Sequence, residues 1–485
     1  MTQKLSVSRA ARLIGVPRGA LRKKILDGEL VSHEGMIAIA DLLAAFPAAN
    51  IDEGGAYERV TRIKEEAFGR RVRERLLPDA HILSERMFEQ SRELADVRAH
   101  LQRYHNMVVR LQQRIDSLRG ASQGEAREAL LKLDVWLEDE LGKVLADTPA
   151  PEALTIMDDM LRVMSAHVIV QPSRREFFVE GADTLLEAAL RAGLSPNYGC
   201  SNGNCGLCKT RVVSGQIRKV RPHDYVLSEA ERLQGYALMC CNAAVSDLVI
   251  EALEANAPAD IPEQSIVAHV KAVATLSDDV RLLHLQTPRS ARLRFLAGQS
   301  VVLSVEGCDP EEHFIASCPC DDRNIQFHVR RDPDSAFAKR VFTGLALGDS
   351  IALRGPWGDF VLNEDSPRSL VFIAGDSGFA PIKSLIEHAM ALDTAESMRL
   401  YWHASQPGGH YSANLCRSWA DALDNFKYAA LEGSAEETAR QVIADCPARK
   451  DFDFYIAGPE TFVGEVRERL LASGMPTAQI KTAGV

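Results

Sequence analysis

No stretch of this 485-residue chain approaches the roughly 18 consecutive apolar residues of a membrane-crossing helix. An export signal is missing too, since Met1-Thr2-Gln3-Lys4 leads into an amphipathic pattern and not an apolar core. A cytoplasmic protein with no membrane span is therefore expected. Positive charge is not in excess: 56 Lys and Arg against 67 Asp and Glu leave a net charge of −11, so the whole molecule is no generic nucleic-acid binder. Zinc knuckles usually come as two short C-x2-C pairs, and here Cys205 and Cys208 make the only one. What is present is ordinary for globular protein, with 46% apolar and 25% charged residues. The length exceeds one core, so three or more domains are expected.

The cysteines carry the sharpest signal. Cys200, Cys205 and Cys208 form a C-x4-C-x2-C run, and 31 residues separate Cys208 from Cys240. Two irons need four converging thiolates; a short loop can supply three and a distant strand end the fourth. Glycines at 199, 203 and 206 let the loop curl so that amide N–H groups can point at inorganic sulfide. The bland alternative is a zinc site or buried free thiols. The flanks read as strands around Val168–Val170 and Glu176–Val179, a helix opening at Asp183-Thr184, a strand over Lys209–Val213, and a last strand at Leu248–Glu251. In that order residues 166–256 resemble the plant-type [2Fe–2S] ferredoxin module, a β-grasp fold. The resemblance makes Cys200, Cys205, Cys208 and Cys240 the cluster ligands, with Cys241 one residue off register. Cys241, Cys308, Cys318, Cys320, Cys416 and Cys446 are then mostly small buried apolar residues in a reducing compartment.

Upstream, residues 1–50 hold two short helical patterns, Ser6–Val16 and Arg18–Leu26, and a possible wing at Gly28–Ile37. They resemble the helix-turn-helix of MerR and excisionase-type domains. Arg18, Arg22, Lys23 and Lys24 would lie on or near the helix that meets DNA phosphates. The alternative is a docking module with a solvated basic face. Within 51–120, Met87, Leu94, Leu101, Val108 and Ile115 recur every seven residues. Leu83, Gln90, Val97, Tyr104, Leu111 and Leu118 interleave with them. Such heptads predict a coiled-coil seam and a homodimer through 83–118, bounded by Pro78 and Gly120. One long helix of an internal bundle is the other reading. A helical linker over 121–165 follows, broken by Pro149 and Pro151, with a short helix through Leu161.

From Ala257 onward the pattern alternates. His269–Leu276, Val280–Gln286 and Ser300–Val305 fit a small antiparallel barrel over 262–365. With Gly355-Pro356-Trp357-Gly358-Asp359-Phe360 they resemble the flavin-binding barrel of the ferredoxin–NAD(P)+ reductase superfamily. That family carries Arg-x-Tyr-Ser before a small-residue strand; here Glu311, His313 and Phe314 stand before Ile315-Ala316-Ser317. The resemblance leaves His313 to stack on a flavin, Ala316 and Ser317 beside it, and Arg330, Arg331 and Ser335 to hold the diphosphate that Glu311 would repel. The plain alternative is a barrel that has lost its flavin. Over 366–485 the chain turns α/β. Leu370–Ala374 reads as a buried strand followed by Gly375-Asp376-Ser377-Gly378-Phe379-Ala380-Pro381, a glycine turn opening a helix. Phe454–Ala457 with Gly458-Pro459 repeats the device. The pair resembles the superfamily's nicotinamide domain, and the resemblance makes Gly375, Ser377, Gly378, Pro381, Gly458 and Pro459 its cofactor contacts. Ala457 replaces a frequent cysteine, and the usual near-terminal acidic and aromatic residues are absent from Thr482-Ala483-Gly484-Val485. No arginine directly follows Trp402, which favours NADH over NADPH.

The expected architecture is thus multidomain: a helical head and coiled coil, an α+β ferredoxin domain, an antiparallel barrel and an α/β nicotinamide domain. The order resembles reductase components of bacterial multicomponent oxygenases. It implies electron flow from NADH or NADPH through FAD to a [2Fe–2S] cluster and on to an electron-acceptor protein such as an oxygenase. Two rivals remain at this stage. One is a redox-responsive DNA-binding regulator, and the other a non-catalytic scaffold with a degenerate reductase fold.

Overall fold

The computed structural model describes residues 4–33, 35–46, 80–146, 162–181 and 183–485. It divides into two compact units, one over 78–164 and one built from 1–77 with 165–485.

In the larger unit the ferredoxin segment is a five-stranded sheet. Strands β4 (Ser165–Gln171), β5 (Glu176–Glu180), β6 (Lys209–Ser214), β8 (Tyr236–Leu238) and β10 (Leu248–Glu251) run in the order β5-β4-β10-β6-β8. Alternation sets its core: Val168, Val170, Phe177, Val179, Leu248 and Ile250 all turn inward. Helix α6 (Leu185–Arg191) lies on that face, started by a capping box between Thr184 and Glu187.

The barrel is a six-stranded antiparallel sheet. Its strands are β11 (Gln264–Thr275), β12 (Val280–Gln286), β13 (Ser300–Ser304), β14 (Glu311–Phe314), β15 (Asn324–Arg330) and β16 (Ser350–Trp357), in the order β14-β13-β16-β11-β12-β15. Helix α8 (Ala336–Thr343) closes one end, capped by Ser335. The nicotinamide-type segment is a parallel sheet in the order β19-β18-β17-β20-β21. Central β17 (Ser369–Gly375) and β20 (Phe452–Gly458) are buried at every position, as strands covered on both faces must be. β18 (Met398–Ala404) and β19 (Phe426–Glu432) lie to one side. β21 (Ile480–Gly484) is a fifth strand that the sequence reading did not anticipate. Helix α9 (Phe379–Leu392) follows the first glycine turn and α12 (Glu460–Ala472) the second.

The head forms a three-stranded sheet in the order β1-β3-β2 (Lys4–Ser6, Met36–Ala38, Ser32–His33), with α1 (Val7–Ile14), α2 (Arg18–Leu26) and α3 (Ile39–Ala45). Ser6 caps α1, and Gly15 ends it in the left-handed region at φ 68°. The expected basic face meets protein. Arg18 donates to the Leu392 carbonyl at 2.9 Å and to Ser8 Oγ at 3.1 Å. Lys23 pairs with Glu396 at 2.6 Å, and Lys24 with Glu29 at 2.6 Å. Gly19 packs so closely that a Cβ there would sit 2.5 Å from the Thr394 carbonyl oxygen. On the other side Arg9 reaches Asp247 at 2.9 Å, while Arg12 pairs with Glu180 and lies over the Phe178 ring. Of the four basic residues expected near DNA phosphates, Arg18 is turned onto protein, Lys23 and Lys24 are held in surface ion pairs, and Arg22 is exposed.

The smaller unit contains a 42-residue helix, α4 (Ala80–Ala121), and α5 (Glu125–Ala146). Arg119 near the end of α4 pairs with Asp134 of α5 at 2.8 Å. Leu94, Val97, Leu101, Tyr104 and Leu111 on the heptad stripe are each at least half exposed, whereas Ile115 is buried within the unit. Pro78, Pro149, Pro151 and Leu161 lie outside the described residues. No described helix is long and apolar enough to cross a membrane.

Candidate redox site

The loop between α6 and β6 carries Cys200, Cys205 and Cys208, and the turn after β8 brings Cys240 to them, so that the four form two close pairs. The Cys205 amide donates to Cys200 Sγ at 3.4 Å, and Cys208 Sγ lies 3.2 Å from Cys240 Sγ. Among the described residues no three His, Cys, Asp or Glu side chains surround a single metal position. Two cysteine pairs instead match the needs of two irons, each taking two sulfurs. Hydrogen bonding to the Cys240 sulfur holds the Cys208 thiol down at about 7, against the opposing effect of burial. Backbone N–H groups of Cys205, Asn202 and Asn204 lower Cys200, again against burial. Cys241 stays beside the set: its Sγ lies 3.6 Å from Cys240 Sγ and 3.9 Å from the Pro222 carbonyl, which accepts from it. Gly203, at φ 81°, leaves room for it, since a Cβ there would lie 2.6 Å from Cys241 Sγ. Gly206 at φ 74° admits the Tyr225 ring in the same way, with 2.2 Å to a hypothetical Cβ. Cys205 is the exposed member of the set.

The cluster loop is fastened to the barrel. Arg292 donates to Ser201 Oγ from Nε at 3.2 Å and from Nη2 at 2.9 Å, and its amide bonds the Gly199 carbonyl at 2.9 Å. Arg294 reaches Asn197 Oδ1 at 2.9 Å and the Ser195 carbonyl at 3.1 Å. Buried Asp322 stands 3.7 Å from Arg292. Burial pushes its carboxyl up to about 6, despite the Arg292 charge. Nothing in the sequence marked Arg292 or Arg294, because lone arginines in a loop carry no spacing signal.

Where barrel and nicotinamide segment meet, a cavity of about 490 Å³ is lined by Glu312, Phe314, Phe360, Lys481, Thr482 and Ala483, among others. Of the departures noted in the sequence, Phe314 and the terminal Thr482 and Ala483 line this wall, and Ala457 pairs in register with Ala483. It keeps ionic groups all the same. Ser300 Oγ holds the Glu312 carboxylate, and Lys481, whose pKa burial lowers, donates to the Val361 carbonyl at 2.7 Å.

The strand alternation of β14 puts Glu311 and His313 on the other side from Glu312 and Phe314. His313 packs against Phe337 at a ring separation of 5.0 Å, and burial lowers its pKa. It does not line the cavity. Glu311 accepts a 2.6 Å bond from Ser335 Oγ, which also caps α8 at the Ala338 amide. Arg330 lies 3.8 Å from Asp279, and Arg331 spans Phe342. Ala316 and Ser317 are buried, their carbonyls taken by Lys383 Nζ at 2.9 Å and Ser384 Oγ at 2.7 Å.

The two glycine turns do converge. A Cβ on Gly378 would strike the Ala457 carbonyl oxygen at 2.1 Å, and one on Gly458 would meet Gly375 Cα at 3.0 Å. Ser377 lies in the first turn, Pro381 is buried in the first turn of α9, and Pro459 precedes α12. This crevice lies at the carboxyl ends of β17 and β20, where open α/β sheets take ligands. Asp376, in the left-handed region at φ 48°, binds the amide and hydroxyl of Ser405 at 2.8 and 3.0 Å.

One expectation about the remaining cysteines is overturned. Cys318 and Cys320 are joined as a disulfide, with their Cα atoms 5.2 Å apart. The C-x-C spacing was the available signal. Cys241, Cys416 and Cys446 are buried free thiols as expected.

Two family models match. One is a 2Fe-2S iron-sulfur cluster binding domain over residues 168–246, the other an oxidoreductase FAD-binding domain over 267–362. The chain is 31% identical over 269 residues to the reductase component DmpP of phenol 2-monooxygenase from Pseudomonas sp. strain CF600, covering 55% of this chain and 75% of that one. It is 28% identical over 321 residues to the CDP-6-deoxy-L-threo-D-glycero-4-hexulose-3-dehydrase reductase of Yersinia pestis, covering 64% of this chain and 96% of that one. Among solved structures, the Amycolatopsis cytochrome P450 reductase GcoB is 27% identical, with 66% of this chain and 98% of that one aligned at a TM-score of 0.42.

Proposed function

Since the chain belongs to the iron–sulfur flavoprotein reductases that join a 2Fe-2S domain to an oxidoreductase FAD-binding domain, we propose that it moves electrons from NADH through FAD to its [2Fe–2S] cluster and on to an oxygenase-type partner. Bound together, these groups supply a hydride, a conversion from two electrons to one, and a one-electron carrier.

The protein's own part is placement. Cys200 with Cys205 would hold one iron, and Cys208 with Cys240 the other. The observation that carries the reading is the Arg292–Ser201 contact, which locks the cluster loop onto the flavin-type barrel. Cys205 and half-exposed Leu207 leave one side of that loop open to a partner. The crevice formed by Gly375, Ser377, Gly378, Pro381, Gly458 and Pro459 would take the dinucleotide. No arginine directly follows Trp402 in β18 to pair with the extra phosphate of NADPH, which favours NADH. The cavity beside Phe314 would receive the flavin ring edge, with Ser335, Arg330 and Arg331 on the diphosphate side. His313 would act from beneath the strand through Phe337 and Glu311, as a positioning residue.

The head is read as a brace, with Arg9 and Arg12 on the ferredoxin segment and Arg18 and Lys23 on the nicotinamide segment. The exposed heptad stripe of α4 supports a homodimer. Stopped-flow absorbance under anaerobic NADH tests the electron route: flavin reduction should precede cluster reduction. Cluster reduction by NADH in protein stripped of flavin would contradict it.

A further inference from the structure

The Cys318–Cys320 disulfide sits where three segments of the fold meet, and its surroundings are those of an activated thiol. Cys318 Sγ lies 3.9 Å from His388 Nδ1. His388 Nε2 is 3.0 Å from Glu364 Oε1, and Glu364 is paired with Arg175 at 2.8 Å. Burial works against ionising Glu364, but the His388 bond and the Arg175 charge hold its pKa below the ordinary value. The Cys318 amide donates to Glu387 at 3.1 Å, and Glu387 is paired with Lys383 at 2.7 Å. Lys383, Ser384, Glu387 and His388 share one face of α9, so a single helix grips the whole 316–318 segment. Cys318 and His388 are buried, while Cys320 is partly open to solvent.

We propose that Cys318–Cys320 is a second redox site of this protein, opened by thiol–disulfide exchange with small thiols, with His388 and Glu364 as its acid–base pair. The incoming thiol, RSH, gives its proton to solvent and attacks the accessible Cys320 sulfur as RS−. The S–S bond breaks, and Cys318 leaves as a thiolate that takes up a proton through His388, whose Nδ1 lies 3.9 Å away and whose Nε2 is held by Glu364. A second RSH then displaces Cys320 from the mixed disulfide. RSSR is released, and its proton ends on Cys320. Two thiols are oxidised and one protein disulfide is reduced to two thiols. None of this depends on the flavin or the cluster.

The test uses full-length holoprotein equilibrated in air, alkylated with iodoacetamide and read by peptide mass spectrometry. The 318–320 peptide should stay unmodified until glutathione is added, then gain two alkyl groups through an intermediate bearing glutathione on Cys320. His388→Gln should slow that exchange roughly tenfold, and Glu364→Gln in the same direction by less. Should His388→Gln fail to fold, Glu364→Gln carries the comparison alone, and an unchanged rate overturns the proposal. Full alkylation before any thiol is added overturns it as well, as does an unchanged rate in a folded His388→Gln protein.

Discussion

Arg292 of the barrel donates two hydrogen bonds to Ser201, the residue directly after the cluster-loop cysteine Cys200. A buried guanidinium binding a neutral hydroxyl contributes about 1.5–3 kcal/mol. Its greater value here is register, because the same loop carries three of the four sulfurs. Ser201→Ala should lower stability by about that amount. Arg292→Ala should also slow flavin-to-cluster electron transfer, read as a lag between the two optical phases after NADH mixing. Equal rates in native and Arg292→Ala protein would separate the contact from electron transfer.

Asp322 gives this junction a pH dependence. Its carboxyl titrates near 6 in the fold, against an ordinary value of 3.8. The raised value means the folded state binds the proton more tightly. The stabilisation is therefore full below about 3.8 and is lost as pH climbs through about 6. Denaturant melts of the native protein should lose about 1 kcal/mol between pH 5 and 7 from this group. Asp322→Asn should flatten that interval, and an identical slope in the variant would count against the assignment.

The apolar stripe of α4 predicts association. Leu101→Lys with Val108→Lys places charge in a seam where each large apolar side chain contributes roughly 1.5–3 kcal/mol when buried. Light scattering should fall from two chains to one. An unchanged mass would remove the coiled-coil dimer.

The head should behave as part of the body. Gly19→Ala puts a methyl group against the Thr394 backbone, and amide exchange in α2 should rise roughly tenfold as the contact opens. Native protein should show no salt-sensitive DNA binding through 1–50, since Arg18 and Lys23 are engaged. Steep salt-dependent binding would revive the DNA reading.

How far the sequence carried these conclusions depends on the range of each signal. The four cysteines were legible because ligand spacing is local. The barrel strands β11, β12 and β13 were legible because one buried face writes a period of two. For His313 a residue-by-residue match to a motif could not show that Phe337 of α8 packs against its ring. Arg18 and Lys23 looked like a phosphate-binding face because their partners, Leu392 and Glu396, lie more than 370 residues away. Strand β21 escaped notice because Ile480–Gly484 is short and holds one large apolar residue. The disulfide was passed over because a reducing compartment was inferred from the cysteine count.

Anaerobic addition of one equivalent of NADH to purified protein, followed by absorbance and low-temperature paramagnetic resonance, bears on the electron route as a whole. The flavin band should bleach first, and the signal of a reduced [2Fe–2S] centre should then appear, while Cys240→Ser abolishes that signal and Cys241→Ser preserves it. Protein that carries a full cluster but no flavin, and takes up none when FAD is supplied, would contradict the reductase reading.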